Sequence, residues 1–256
     1  MSNSAISFKN VKKTYEKETI IENLSFEIEA GEFITILGSS GSGKTTTMKM
    51  VNRLVQPDSG VIEINGQNIE QTNLIELRRN IGYVVQQIGL FPHLTVEKNI
   101  ATVPELLGWN KTKTKDRIKE LMNQVKLPYE EYSKRYPKQL SGGQQQRIGV
   151  ARALAANPQI MLLDEPFGAV DAITRKELQK QIKGIHQELT GKTFLFVTHD
   201  INEAFLLGDK VIIMDKGKIS QYDTPQNIIK NPETQFVKNL LETIYDEASL
   251  WRMLND

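Results

Sequence analysis

The run Leu24-Ser25-Phe26-Glu27-Ile28-Glu29 alternates apolar and polar side chains with the period of a half-buried strand, and the shorter Ile6-Ser7-Phe8 does the same. Three other runs, Phe33-Ile34-Thr35-Ile36-Leu37, Ile160-Met161-Leu162-Leu163 and Thr193-Phe194-Leu195-Phe196-Val197, are almost wholly apolar, as strands covered on both faces are. Between the last two, Leu178, Ile182, Ile185 and Leu189 recur at helical spacing up to a closing Gly191. A turn at Pro57-Asp58-Ser59-Gly60 leads to Val61-Ile62-Glu63-Ile64 and then Asn65-Gly66, a hairpin signal. A later hairpin, Val211 to Met214 turning at Asp215-Lys216-Gly217-Lys218, precedes a helix capped by Thr224 with Pro225 in its first turn. From about residue 88 to 156 the strand signal fades into a mostly helical stretch. The pattern predicts an α/β core interrupted by a helical insertion. It also predicts a helix over residues 46–54 that turns Met50, Val51 and Leu54 inward.

Composition narrows the setting. With 32 basic and 31 acidic residues the net charge is +1, so no global field recruits nucleic acid or an anionic membrane. Cysteine is absent, which excludes disulfides and thiolate metal sites. No apolar stretch approaches the roughly 18 residues that span a bilayer, and Met1-Ser2-Asn3-Ser4-Ala5 lacks the layout of a signal peptide. The expectation is a cytosolic chain that meets a membrane only through a partner.

The chemistry begins at Gly38-Ser39-Ser40-Gly41-Ser42-Gly43-Lys44-Thr45, a G-x-x-x-x-G-K-T loop between a buried strand and a helix. Its glycines let successive backbone N–H groups curl around an oxyanion, and the helix start adds positive partial charge. Lys44 would reach the β- and γ-phosphates, and the Thr45 hydroxyl would ligate Mg²⁺. Such a loop alone leaves kinases, GTPases and transport ATPases open. Asp164 and Glu165 close an apolar strand. Asp164 sits where a carboxylate can hold a metal's water shell, and Glu165 where one can polarise a water against the γ-phosphate. A second anion site is built from Ser141, Gly142 and Gly143 at another helix start. One chain with two such helix starts points to a nucleotide held by both.

Leu140-Ser141-Gly142-Gly143-Gln144 resembles the signature sequence of the ATP-binding cassette (ABC) ATPases, and the likeness runs over roughly residues 5–235 with the motifs in the family's order. It implies a P-loop NTPase fold of ABC type: a RecA-like mixed-sheet α/β core (about 1–87 and 157–235), an N-terminal antiparallel β subdomain and an inserted helical subdomain (about 88–156). Residues 236–256 would form a helical tail. The nucleotide would be held by Gly38, Ser39, Ser40, Gly41, Ser42, Gly43, Lys44, Thr45 and Thr46, with Tyr15 stacked on adenine. In this family Ser141, Gly142, Gly143 and Gln144 reach the ATP of the opposite subunit in a head-to-tail homodimer, and Asp171 matches the loop that crosses that interface. Thr45, Gln86 and Asp164 match the groups around Mg²⁺. Glu165, His199, Gln86 and Lys44 match the catalytic set, His199 contacting the γ-phosphate. Gln87 neighbours Gln86, but Leu90-Phe91-Pro92-His93 favours the earlier residue. His93 and His186 receive no role, His186 being placed on a solvated helix face. The only metal expected is Mg²⁺ arriving with ATP.

Soluble cassette ATPases of DNA repair, chromosome structure or translation usually carry coiled-coil arms or two cassettes. This sequence has neither a heptad run nor a repeated loop. An exporter would more often fuse membrane helices to its cassette. The expectation is an importer's ATPase on the cytoplasmic face of the membrane, working with integral permease subunits and an extracytoplasmic substrate-binding protein, and not with nucleic acid. The apolar stretch from Ile88 to Val96 would receive the permease. Residues 81–96, 103–109 and 165–171 are most similar to the quaternary-amine and osmoprotectant importers of glycine betaine, carnitine or choline, with importers of amino acids, methionine or betaine-like thiols as the alternatives. The chain departs from that branch at Ala169-Val170-Asp171-Ala172, where leucine and proline are commoner, and stops at Asp256, where many members continue into paired CBS domains. Residues 236–241, with Leu250 and Trp251, resemble the lead-in to such an extension.

Overall fold

The computed structural model describes residues 4–16, 18–86, 89–168 and 170–243. The chain forms two compact units, residues 1–71 with 195–256 and residues 72–194. Met1, Ser2, Asn3, Gln87, Ile88, Ala169 and the predicted tail from residue 244 on, Leu250 and Trp251 included, lie outside the described residues.

The first unit opens with the antiparallel strands β1 (Ser4–Tyr15) and β2 (Glu18–Glu29) and continues through β3 (Phe33–Gly38), α1 (Lys44–Val51), β4 (Ser59–Ile64) and β5 (Gln67–Asn68). Four of these strands make an antiparallel sheet in the order β2-β1-β4-β5. β1 is much longer than the alternation at Ile6–Phe8 predicts. Its pairing with β2 shifts register between Phe8 and Val11, and Asn10 there takes φ 52°. The next buried side chain therefore falls three residues after Phe8 rather than two, which hides the strand from a period-two reading. Phe8 and Phe26 sit opposite each other and stack with centroids 4.6 Å apart.

The second unit runs α2 (Leu74–Arg79), β6 (Ile81–Val84), α3 (Val96–Leu106), α4 (Lys111–Gln124), α5 (Tyr129–Tyr132), α6 (Gly142–Leu154), β7 (Ile160–Asp164) and α7 (Ala172–Glu188). Most of its helices start on a side-chain cap: Asn73, Thr95, Asn110, Ser141 and Asp171 each accept a bond from a backbone N–H of the first turn. β6 and β7 pair in parallel, Ile81 opposite Ile160 through Val84 opposite Leu163. This unit thus includes two strands as well as helices and extends beyond the predicted insertion on both sides.

Strand β8 (Thr193–Thr198) runs across the boundary, and the first unit resumes with α8 (Ile201–Leu207), β9 (Lys210–Asp215), β10 (Lys218–Asp223) and α9 (Pro225–Lys230). β3 lies parallel to β9, which pairs antiparallel with β10. Leu37, Ile201, Ala204, Val211, Ile213 and Ile228 pack with Val237 and Leu241 of the helical residues 235–243, so the start of the tail belongs to this core.

Two predicted placements are corrected. Asn52 ends α1 and Arg53 turns the chain with φ 52°, so Leu54 is 50% exposed instead of facing inward. His186 is not solvated surface: it is half-buried, with its ring edge-on to Phe194 at 4.9 Å. The bulky phenyl of β8 widens the apolar stripe of α7 to take in its neighbour.

Candidate functional site

In the first unit, β3 delivers the chain buried to Gly38, and the loop then exposes Ser39, Ser40 and Gly41 before returning inward at Ser42, Gly43 and Lys44. Gly41 and Gly43 have φ of 79° and 98°, a region that costs other residues strain. A Cβ on Gly38 would run into the carbonyl of Met214 and the Ser42 hydroxyl. Lys44 Nζ donates to the carbonyl oxygens of Gly38 and Ser39 at 2.8 and 2.9 Å, which holds its ammonium over the concave side of the loop. Ser42 Oγ is buried with no hydrogen-bond partner. A buried hydroxyl of that kind calls for a further polar partner. Together with a glycine-lined backbone and a helix start, it fits a polyphosphate. Thr45 and Thr46 follow, half-buried, in the first turn of α1.

The same unit supplies Tyr15 and His199. Tyr15 is 44% exposed at the tip of the β1–β2 hairpin, with Lys13 Nζ 5.3 Å from its ring centroid. The hairpin reaches the loop through Ile20 and Ile21, which lie 3.2–3.3 Å from where a Cβ on Gly43 would stand. His199 is exposed directly after β8. Its neighbours are fixed: Thr198 Oγ1 donates to buried Glu203 at 2.6 Å and accepts from Asp200 N at 3.0 Å, and Asp200 Oδ1 caps Asn202 N and Glu203 N.

In the second unit two side chains from β6 and the turn after it meet the two carboxylates that end β7. Tyr83 hydroxyl donates to Asp164 Oδ2 at 3.2 Å, and Gln86 Nε2 donates to Glu165 Oε2 at 3.1 Å. A carboxylate only accepts, so the amide nitrogen must face Glu165. Asp164 is 5% exposed. Burial first, and then the Asp164 charge and bond, push the Tyr83 phenol well above its ordinary range, so it remains a donor. Glu165 has φ 44°, an uncommon backbone for a residue with a Cβ. Oxygen donors such as the Asp164 carboxylate and the Gln86 amide oxygen are of the kind that suits a hard divalent cation.

Ser141 caps α6 in a reciprocal box: its Oγ accepts from Gln144 N at 3.3 Å, and Gln144 Oε1 accepts from Ser141 N at 2.9 Å. Gln144 Nε2 also reaches Tyr132 hydroxyl at 3.3 Å. Gly143 meets α7: a Cβ there would stand 2.5 Å from Thr174 Cγ2. Asp171 caps α7, accepting from Ile173 N and Thr174 N at 3.2 and 3.0 Å. Hydrogen bonds from Thr174, the backbone N–H first, hold its carboxyl below the usual range. The cap of α6 and the cap of α7 are thus neighbours through one tight contact. At the other end of α6, Arg152 donates to Gly89 O at 2.7 Å and lies 5.8 Å over the Phe91 ring. That loop is further pinned by Asn99, which bonds Phe91, Leu94 and Thr95 backbone groups and leaves Phe91 41% exposed.

Sequence reasoning missed Tyr83, Thr174 and Glu203. Tyr83 had a usable signal, a hydroxyl amid apolar neighbours on a short strand, where a buried phenol needs a partner. Thr174 and Glu203 are ordinary helix residues in the sequence, and only packing singles them out.

A family model described as "ABC transporter" matches residues 21–168. The carnitine transport ATP-binding protein OpuCA of Listeria monocytogenes serotype 1/2a (strain 10403S) is 52% identical over 237 residues, covering 92% of this chain and 59% of that protein. The choline transport ATP-binding protein OpuBA of Bacillus subtilis (strain 168) is 51% identical, covering 92% and 62%. The glycine betaine uptake system ATP-binding protein YehX of Escherichia coli (strain K12) is 48% identical, covering 91% and 75%. The chain thus spans about three-fifths of the first two. Among solved structures, a dimeric post-hydrolysis state of the ATP-binding cassette MJ0796 bound to ADP and Pi is similar with a TM-score of 0.76 and 34% identity, covering 86% of this chain and 98% of that one.

Proposed function

Because this chain belongs to the ABC transporter family, we propose that it is the ATP-hydrolysing subunit that energises an importer of quaternary-amine osmoprotectants such as glycine betaine, carnitine or choline. The observation that carries the reading is the pairing of Tyr83 with Asp164 and Gln86 with Glu165, in which each of two adjacent carboxylates accepts a bond from its own donor. Lys44 and the backbone of Gly38–Thr45 would bind and orient the β- and γ-phosphates, and Tyr15 would hold the adenine. Thr45 and Asp164, with Gln86, would hold Mg²⁺, which neutralises charge building on the phosphate oxygens. Glu165 would accept the proton of the attacking water, and His199 would contact the γ-phosphate from the end of β8.

The remaining groups come from a second copy. Ser141, Gly142, Gly143 and Gln144 would face the nucleotide bound by the partner, with Asp171 at the same interface. That the similar MJ0796 cassette is dimeric and bound to ADP and Pi supports the pairing of two copies. Binding at two shared sites favours the closed pair, and product release favours the open one. Among the described residues no helix is long and apolar enough to cross a membrane. Permease subunits at the cytoplasmic face would receive the stroke, with an extracytoplasmic binding protein delivering cargo. The relatives named for carnitine, choline and glycine betaine support the cargo class.

The test is co-purification with integral membrane subunits, followed by uptake of radiolabelled betaine, carnitine and choline into vesicles that depends on internal ATP. Uptake of any of these supports the reading. A stable complex with nucleic acid and no membrane subunit would sink it.

A further inference from the structure

We propose that Tyr83 is a positioning residue for Asp164, setting the carboxylate that holds the divalent cation from one strand away. The inference rests on the nucleotide-site reading above and assigns a residue that reading does not use. β6 lies parallel to β7 with Tyr83 opposite Leu162, so Asp164, two residues on, is its diagonal neighbour on the same face. The phenol spans that diagonal and donates to Oδ2 at 3.2 Å. The terminal torsion of an aspartate is broad and intrinsically weakly specified. A tyrosine has only two torsions, and this one is carried by a strand paired along its whole length. A rigid donor of that kind selects one carboxylate orientation and leaves the other oxygen's direction determined. Partners that orient a metal ligand typically govern metal affinity by about 10- to 100-fold. A tyrosine that served packing alone would give the sheet its ring and leave metal dependence untouched.

Tyr83→Phe in the full chain removes only the hydroxyl. The measurement is equilibrium binding of a fluorescent ATP analogue across a Mg²⁺ titration and again in EDTA. Free Mn²⁺ counted by electron paramagnetic resonance gives direct metal affinity. The expected result is a rise of about tenfold or more in the metal concentration for half-maximal nucleotide binding, with affinity in EDTA unchanged. Tyr83→Leu, which also deletes the ring, is expected to shift metal dependence by the same factor. The inference is overturned if Tyr83→Phe titrates like the parent, if binding in EDTA falls by the same factor, or if only Tyr83→Leu is impaired. If the parent itself binds nucleotide without any metal dependence, the nucleotide-site reading fails and takes this inference with it.

Discussion

Gly143 offers a way to separate packing from chemistry in the signature segment. A Cβ placed there would stand 2.5 Å from Thr174 Cγ2, far inside van der Waals contact, while the next atoms, Thr174 Cβ and Val170 Cγ1, are at 3.8 and 4.0 Å. One methyl group therefore accounts for the whole conflict. Gly143→Ala should lose about 1–3 kcal/mol by overpacking, offset by up to about 1 kcal/mol of gained helix propensity. The net expectation is a loss of about 1–2 kcal/mol, read as a lower urea midpoint. Thr174→Ser deletes only the offending methyl. At about 0.8 kcal/mol per fully buried methylene, this half-buried site should lose roughly half that. The double variant should regain the parent's midpoint within about 0.5 kcal/mol, a favourable coupling of at least about 1 kcal/mol. ATPase activity then splits the roles. If the double variant is stable but slow, the glycine is needed for close backbone approach to phosphate. If it is both stable and active, glycine serves the α6–α7 contact. A Gly143→Ala chain as stable as the parent, or a Thr174→Ser that rescues nothing, would refute the packing argument.

Glu165→Gln is expected to lower turnover by about 10²–10⁴-fold, the usual contribution of a general base, with ATP affinity retained; a parent-like rate in single-turnover assays removes Glu165 from that role. Lys44→Ala should weaken ATP binding by about 10- to 100-fold, the value of bonds to a charged donor, and calorimetry showing equal affinity would contradict it. Ser141→Arg on both copies should abolish steady-state hydrolysis while each chain still binds ATP, so normal activity would refute a site shared between copies. Asp171 has a lowered carboxyl pKa, so its charge stabilises above the ordinary aspartate range and the benefit disappears as pH falls through the lower folded value. The urea-midpoint gap between the parent and Asp171→Asn should therefore hold from pH 7 to about pH 5 and narrow as pH falls below about 4; a widening gap would show that the charge acts elsewhere.

The sequence exposed those parts of the fold in which one physical rule acts alone. Buried strands such as β3, β7 and β8 are almost wholly apolar, and Thr224-Pro225 starts α9 where its capping chemistry requires. Elements governed by two competing rules were less visible. β1 hides behind the register shift at Asn10, and α1 ends on backbone geometry at Arg53 that no hydrophobic pattern encodes. The site divides in the same way. Lys44 announces itself by the glycine-rich loop that leads into α1, and Asp164 and Glu165 by residue type at the end of β7. Ser141 and Asp171 read equally well as caps, and the structure places both on cap bonds. Tyr83 and Glu203 depend on cross-strand and strand-to-helix contacts, which one-dimensional spacing does not record.

Helix α6 carries Ser141 at its cap and Arg152 near its far end, clasped to the carbonyl of Gly89 and the Phe91 ring. At 1.5 Å per residue the first helical residue and Arg152 stand about 15 Å apart along the axis. A continuous α-helix neither shortens nor lengthens appreciably under small forces, because every turn is closed by its own hydrogen bonds. A displacement of the Gly89–Phe91 loop, passed on by the Arg152 side chain, would therefore move Ser141 with the helix as with a rigid rod. The spacing between the two is set by the number of residues in the rod. One residue added to or removed from α6 would swing Ser141 by about 100° around the axis, leaving both ends intact and the linkage out of phase.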